Sequence, residues 1–140
     1  EIGRLRESRI LSGLQADAVD PEKILRFVES DLGKRVYAAK SVKREFKFSI
    51  LDEAGRYYPD APAGEKLLVQ GVCDLFFEED DGIVVVDFKS DKVSRSGLSA
   101  KAGEYRPQVE LYAYALEKIT GKTVKEKFLY FFSVDEAFRL

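Results

Sequence analysis

Residues 83–89 read Ile-Val-Val-Val-Asp-Phe-Lys, so a run of apolar β-formers ends in Asp87 and Lys89, two positions apart. Side chains alternate along a strand, which places Asp87 and Lys89 on one face, about 6–7 Å apart. A second acid, Asp74, lies on the preceding stretch KLLVQGVCDLFFEE (66–79), and DDG (80–82) supplies a hairpin turn between the two. Asp74 and Asp87 are then near neighbours across a ladder. A favourable register gathers both carboxylates and the lysine at one edge of an apolar sheet. Two desolvated carboxylates repel, and one must protonate unless a cation joins them. Mg²⁺ fits that role: it prefers oxygen ligands, often one or two carboxylates plus waters and a substrate phosphate. The backbone carbonyl of Phe88, between the two charged side chains, offers a further oxygen. Taken singly, Asp87 and Lys89 read as a surface ion pair and Asp74 as a turn residue. Together, with Gly71 before them and Gln108 and Tyr112 one turn apart on a later helix, they read as a metal-dependent active site.

The elements that must position these residues follow from periodicity. Residues 3–20 have mixed helical spacing, with Leu5, Ile10, Leu11 and Leu14 apolar. Asp20-Pro21 is a helix start, a capping carboxylate before a proline at the first helical position. Ile24 through Tyr37 then mark one apolar helical face to about Ala39, within which Gly33 signals a bend or a tight contact. From Val42 the period changes to two: Val42, Arg44, Phe46, Phe48 and Ile50 alternate with Lys43, Glu45, Lys47 and Ser49. A loop is expected over 52–64, strands over 66–79 and 83–89, and a flexible polar loop over 90–104. The uninterrupted apolar run of 83–86 marks a central strand covered on both faces. An amphipathic helix over 105–121, ended by Gly121, and a strand over 124–134 complete the order, with EAFRL beginning one more. The fold class is α/β, a mixed sheet flanked by helices, with 1–40 as a helical lead-in and 41–140 as the sheet core of a single domain.

Composition narrows the chemistry. The 140 residues are 45% hydrophobic and 34% charged, ordinary for a folded domain that buries a core. Histidine is absent, which excludes Ser–His and Cys–His nucleophiles built from these residues. The single cysteine, Cys73, excludes an internal disulfide and an iron–sulfur cluster ligated by this chain alone. It also favours a cytoplasmic setting. No apolar run approaches a membrane span. The net charge of −2 gives no bulk attraction to nucleic acid, but an enzyme gathering carboxylates around a metal needs none. The chain starts Glu-Ile-Gly and contains no methionine, so it reads as a C-terminal piece of a larger polypeptide.

GVCD (71–74), DFKSD (87–91) and YRPQVELY (105–112) resemble the G-x-x-D, D-Y-K-T-D and Q-x-x-x-Y motifs of RecB-type PD-(D/E)XK nucleases. Within that branch they are most similar to the C-terminal nuclease domains of AddAB-type bacterial helicase–nucleases. FVESDLGKRVYAA and REFKF extend the likeness over most of the chain. The resemblance implies a restriction-endonuclease-like core and a DNA exonuclease acting in double-strand-break repair and recombination, yielding a 5′-phosphate and a 3′-hydroxyl. It implies Mg²⁺, or Mn²⁺ in its place, held by Asp74, Asp87 and the Phe88 carbonyl, with Lys89 beside the attacking water. Gln108 and Tyr112 would position Lys89 or contact DNA, and Glu45 is an acidic supplement or, equally, an exposed strand charge. The implied partners are DNA, the remaining helicase chain, where any ATP would act, and an AddB-like subunit. Phe88 and Ser90 stand where the family usually has Tyr and Thr. The family also carries a metal-binding histidine on a helix upstream of the region matched here. Residues 1–140 alone are therefore expected to hold metal weakly and cleave little. The competing expectation is a nuclease fold that has lost catalysis and serves protein docking or DNA guiding.

Overall fold

Across residues 20–140, which the computed structural model describes, the first helix begins at the expected cap. The Asp20 carboxylate accepts from the Glu22 amide at 2.9 Å and Pro21 opens helix α1, Pro21–Glu29. Residues 3–19 of the helical stretch expected ahead of it lie outside the described residues. The single apolar face expected from Ile24 to Ala39 is divided between two helices. Ser30 ends α1 in extended backbone, and its hydroxyl accepts from the Gly33 amide at 3.1 Å to cap α2, Asp31–Ala38. Gly33 marks the corner between them. A Cβ there would sit 2.1 Å from the Phe27 carbonyl oxygen, so only glycine allows the helices to close this tightly.

Among the described residues the sheet has five strands in spatial order of sequence: β1 (Ser41–Glu53), β2 (Lys66–Glu79), β3 (Gly82–Lys89), β4 (Val124–Phe131) and β5 (Glu136–Arg139). The first three form an antiparallel meander, β3 and β4 run parallel, and β5 returns antiparallel. A parallel neighbour needs a long crossover. Helix α3, Leu98–Thr120, provides it. The sheet is mixed, as expected, and β3 lies at its centre with Ile83, Val84, Val85, Val86 and Asp87 all buried. One face packs Cys73, Phe76, Val85, Leu129 and Phe131 under α3. The other packs Leu75, Phe77, Val84, Val86 and Tyr130 under α1 and α2. Each large apolar side chain so covered contributes roughly 1.5–3 kcal/mol.

Three boundaries differ from the sequence reading. The polar loop expected over 90–104 is shorter: a tight 3-10 turn at Arg95–Gly97 leads straight into α3 at Leu98. Leu98 and Ala102 are buried one turn apart and continue the stripe of Val109, Tyr112 and Leu116. That packing carries the helix through Pro107, which sequence alone places at a helix start. Strand β1 runs two residues into the expected 52–64 loop because Asp52 is buried there. Its carboxylate accepts from the Tyr57 hydroxyl at 2.8 Å, the Tyr114 hydroxyl at 3.0 Å and the Glu53 amide at 3.0 Å. Strand β4 stops at Phe131 rather than 134, where a turn containing Asp135 at φ 54° sends the chain back as β5. Among the described residues no helix is long and apolar enough to cross a membrane.

The α1–α2 corner gives a direct test. Gly33→Ala is expected to destabilise the domain by about 1–3 kcal/mol, the range for forcing extra atoms into a packed site. Urea denaturation measures it, and a loss under about 0.5 kcal/mol, the scale of a surface substitution, would show that the corner yields.

Candidate active site

The β2–β3 ladder is regular from Glu79–Gly82 to Leu75–Val86 and ends there. One step further along the same register stand Asp74 and Asp87. Two anionic side chains at adjoining positions disfavour close pairing, and the strands part at that point. In place of a ladder bond, the Phe88 amide donates to Asp74 Oδ2 at 2.9 Å. Strand β1 marks the same level. Cys73 and Leu75 have the same parity yet pack on opposite faces of the sheet, so side-chain alternation on β2 resets at Asp74. On β1 it resets between Val42 and Phe46, at Glu45, which takes φ 46° opposite Asp74.

The reset turns Asp74 toward Asp87. Both line one open pocket of about 370 Å³ with Phe88, Lys89, Ser90, Gln108, Tyr112 and Phe132. Asp87 is 3% exposed. Lys89 Nζ lies 2.8 Å from Asp87 Oδ2 and donates to Gln108 Oε1 at 3.1 Å. With its oxygen toward Lys89, the Gln108 amide has its nitrogen left for other partners, and Tyr112 lines the same pocket one turn further along the helix. Burial, then the charge of Asp87, pushes the Asp74 carboxyl up to about 7, against the opposing pull of the Phe88 amide and Lys89. Burial and the same two carboxylates push the Tyr112 hydroxyl up to about 12. Cys73, beneath the pocket, is raised to about 12 mainly by burial, so its thiol stays protonated and unreactive.

The glycine of GVCD has a packing reason. Gly71 pairs with Phe48 across the ladder, and a Cβ at 71 would meet the Phe48 ring at 2.6 Å. The ring therefore lies over bare backbone and supports Tyr112 edge-on, with centroids 5.8 Å apart.

A divalent cation suits the donors present. Asp87 Oδ2 is buried and, despite its nearness to Lys89, has no hydrogen-bond partner. Burial, and then its neighbour Asp87, hold Asp74 against ionisation. The Lys89 carbonyl accepts from Phe132 on the β4 side at 3.0 Å, so the peptide groups of Phe88 face the opposite side. There the ladder has ended, and the Phe88 carbonyl is not matched to a β2 amide. Two carboxylates and one carbonyl are a sparse set. Among the described residues no third His, Cys, Asp or Glu joins them, which suits Mg²⁺ because it keeps several waters.

Asp74, Asp87, Phe88, Lys89, Gln108 and Tyr112 thus line one pocket, Asp74 by way of the reset in β2 alternation. Glu45 does not. It is exposed and absent from the pocket lining, because the left-handed backbone at its own position interrupts the alternation that would have aimed it. The sequence reading missed Tyr105 and Asp91. The Tyr105 ring lies under Lys89, with Nζ 3.9 Å from its centroid, and the Tyr105 hydroxyl donates to Asp91 Oδ2 at 2.6 Å. The signal was present, since Tyr105 is one turn before Gln108. It was hidden by taking residue 105 as the helix start.

Comparison with known proteins places this geometry. A family model described as the PD-(D/E)XK nuclease superfamily matches residues 5–138. The chain is 40% identical over 134 residues to an ATP-dependent helicase/nuclease subunit from Clostridium novyi, covering 93% of this chain and 11% of that one. Identity to the corresponding helicase/nuclease of Syntrophomonas wolfei is 41%, covering 100% and 11%, and to that of Acetivibrio thermocellus 46%, covering 88% and 10%. This chain spans about a tenth of the length of those relatives. A solved structure titled "Crystal structure of SSO0001" aligns with a TM-score of 0.48 at 16% identity, over 98% of this chain and 59% of its own. From the break in the β2–β3 ladder to the match over nearly its whole length, the chain belongs to the PD-(D/E)XK nuclease superfamily.

Proposed function

We propose that this domain hydrolyses DNA phosphodiesters with Mg²⁺ as an exonuclease, within a longer cytoplasmic helicase–nuclease chain of the AddA kind that works with an AddB-like partner in double-strand-break repair and recombination. The observation that carries the reading is the pair formed by buried Asp87 and half-buried Asp74 beside Lys89, at the point where the central ladder parts. The helicase/nuclease relatives supply the wider setting.

Asp74, Asp87 and the Phe88 carbonyl would hold the metal. When bound, such an ion polarises the scissile phosphate and lowers the pKa of a water. The chain's own residues do the rest. Lys89, 15% exposed at its side chain, is a cation fixed between Asp87 and Gln108, suited to orient the attacking water and offset charge building on the phosphate. Held by Asp87 and Gln108, it serves as charge stabiliser and water-positioner rather than as general base. Gln108 transmits the position of α3 to Lys89 through one amide. Tyr112, with its hydroxyl far from ionisation, lines the pocket one turn beyond Gln108. The pocket's open side leaves room for an extended strand.

Asp87→Ala in the full-length protein is expected to reduce metal-dependent cleavage of single-stranded DNA by on the order of a thousandfold, the equivalent of several kcal/mol of lost charge stabilisation. Gel-resolved digestion with and without Mg²⁺ measures it. Unchanged cleavage would show that the Asp74–Asp87 site does not carry the reaction, which favours the docking or strand-guiding reading for this domain.

The raised Asp74 carboxyl makes a second, metal-free expectation. Its folded-state pKa of about 7 exceeds the ordinary value of 3.8, so the folded state holds a proton that the unfolded chain releases. Stability from this group is then highest below about pH 4 and is lost as pH rises toward 7. Denaturant titrations in chelator should show that decline, and Asp74→Asn should flatten it. Equal slopes in both proteins would mean that the pair is not strained without metal.

A further inference from the structure

An ammonium on a four-carbon stem has many orientations open to it, and Lys89 is useful only in one. Asp87 and Gln108 occupy two of its sides, at 2.8 and 3.1 Å. The third is closed by the face of Tyr105, 3.9 Å from Nζ. A ring there attracts the cation through its negative face without taking a proton or competing for the water Lys89 would hold. Tyr105 is fixed in turn by Asp91, which accepts its hydroxyl at 2.6 Å. Lys101 lies 3.5 Å from Asp91, which ties the first turn of α3 to the stretch leaving β3. A phenol donating to a carboxylate also becomes richer in ring electron density, which strengthens its hold on a cation.

We propose that Tyr105 and Asp91 are positioning residues for Lys89: the Tyr105 ring seats the ammonium between Asp87 and the scissile phosphate, and Asp91 seats the ring. This gives a task to the last acid of DFKSD and to the tyrosine that opens YRPQVELY. The inference rests on the nuclease reading above. Neither residue lines the pocket, so neither is expected to touch DNA.

The test uses the full-length protein with Mg²⁺ and a single-stranded oligonucleotide, with kcat and KM measured separately. Tyr105→Leu should lower kcat about ten- to thirtyfold, the rate equivalent of a largely desolvated cation–π contact, with KM within about twofold. Tyr105→Phe keeps the ring and should recover to within about threefold of the parent rate, because only the Asp91 bond is lost. Asp91→Asn should cost about as much as Tyr105→Phe, and the double variant no more than either alone, as expected of one shared contact. Oligonucleotide affinity without metal should be unchanged in all of them. Should Tyr105→Leu fail to fold by circular dichroism, Tyr105→Met repeats the test without a π face. Three results overturn the proposal: parental kcat without the ring, an equal loss in Tyr105→Phe and Tyr105→Leu, or weakened oligonucleotide binding with kcat intact. Activity surviving in Lys89→Ala and Asp87→Ala sinks the nuclease reading itself, and this inference with it.

Discussion

The hydrogen bond from the Phe88 amide to Asp74 Oδ2 is the constraint around which the site is arranged. A buried central strand must satisfy every backbone N–H, and β3 has lost its β2 partner at this level. Asp74 supplies the missing acceptor from its side chain. That single substitution of carboxylate for carbonyl permits three things at once. The strands separate without orphaning an amide, a cleft opens in an otherwise closed sheet, and the Phe88 carbonyl is freed on the cleft side. It also fixes Asp74 next to Asp87, where burial and the neighbouring carboxylate together raise the Asp74 carboxyl. The sheet is therefore least self-sufficient at the place where a cation would complete it.

Much of this was legible in the sequence because the periodicities are strong. A period of two over Val42–Ile50 and the apolar run into Asp87 set the meander and its central strand, and the DDG turn set the register that brings Asp74 beside Asp87. The motif resemblance pointed to the same residues. What stayed hidden was local backbone behaviour. Nothing in KREF announces that Glu45 takes a left-handed conformation and that alternation restarts there, so an acid counted toward the site lies exposed and outside the pocket. Simple alternation gave Asp74 the right neighbour, although the strand reaches that neighbour through a reset that alternation does not contain.

The start of α3 was illegible for a different reason. Proline signals a helix start because its ring removes a hydrogen bond and crowds the preceding turn, a local effect of about 3 kcal/mol. Here Leu98 and Ala102 bury against the sheet and carry the helix across Pro107. The two extra turns are not incidental. They place Lys101 beside Asp91, and they hold Tyr105 inside a helix rather than on its fraying first residue. A helix beginning at 105 would leave the surroundings of Lys89 resting on an end.

Helix α3 is pinned at two separated points, and its middle carries Gln108 and Tyr112. At the near end, Tyr105–Asp91 and Lys89–Gln108 tie it to the exit of β3. At the far end, the buried Asp52 takes the Tyr114 hydroxyl at 3.0 Å and has Lys118 Nζ at 3.5 Å. Arg56 lies over the Tyr114 ring at 3.6 Å and closes that anchor from the loop side. Hydrogen bonds and neighbouring cations hold the Asp52 carboxyl down at about 2 despite its burial, so the anchor stays charged through the neutral range. One carboxylate is thus stabilised in its ionised form to hold a helix, and another, Asp74, is destabilised in that form. The sheet surrounds the first with hydroxyls and cations and pairs the second with another acid. Of the two, only Asp74 has a use for an ion supplied from outside.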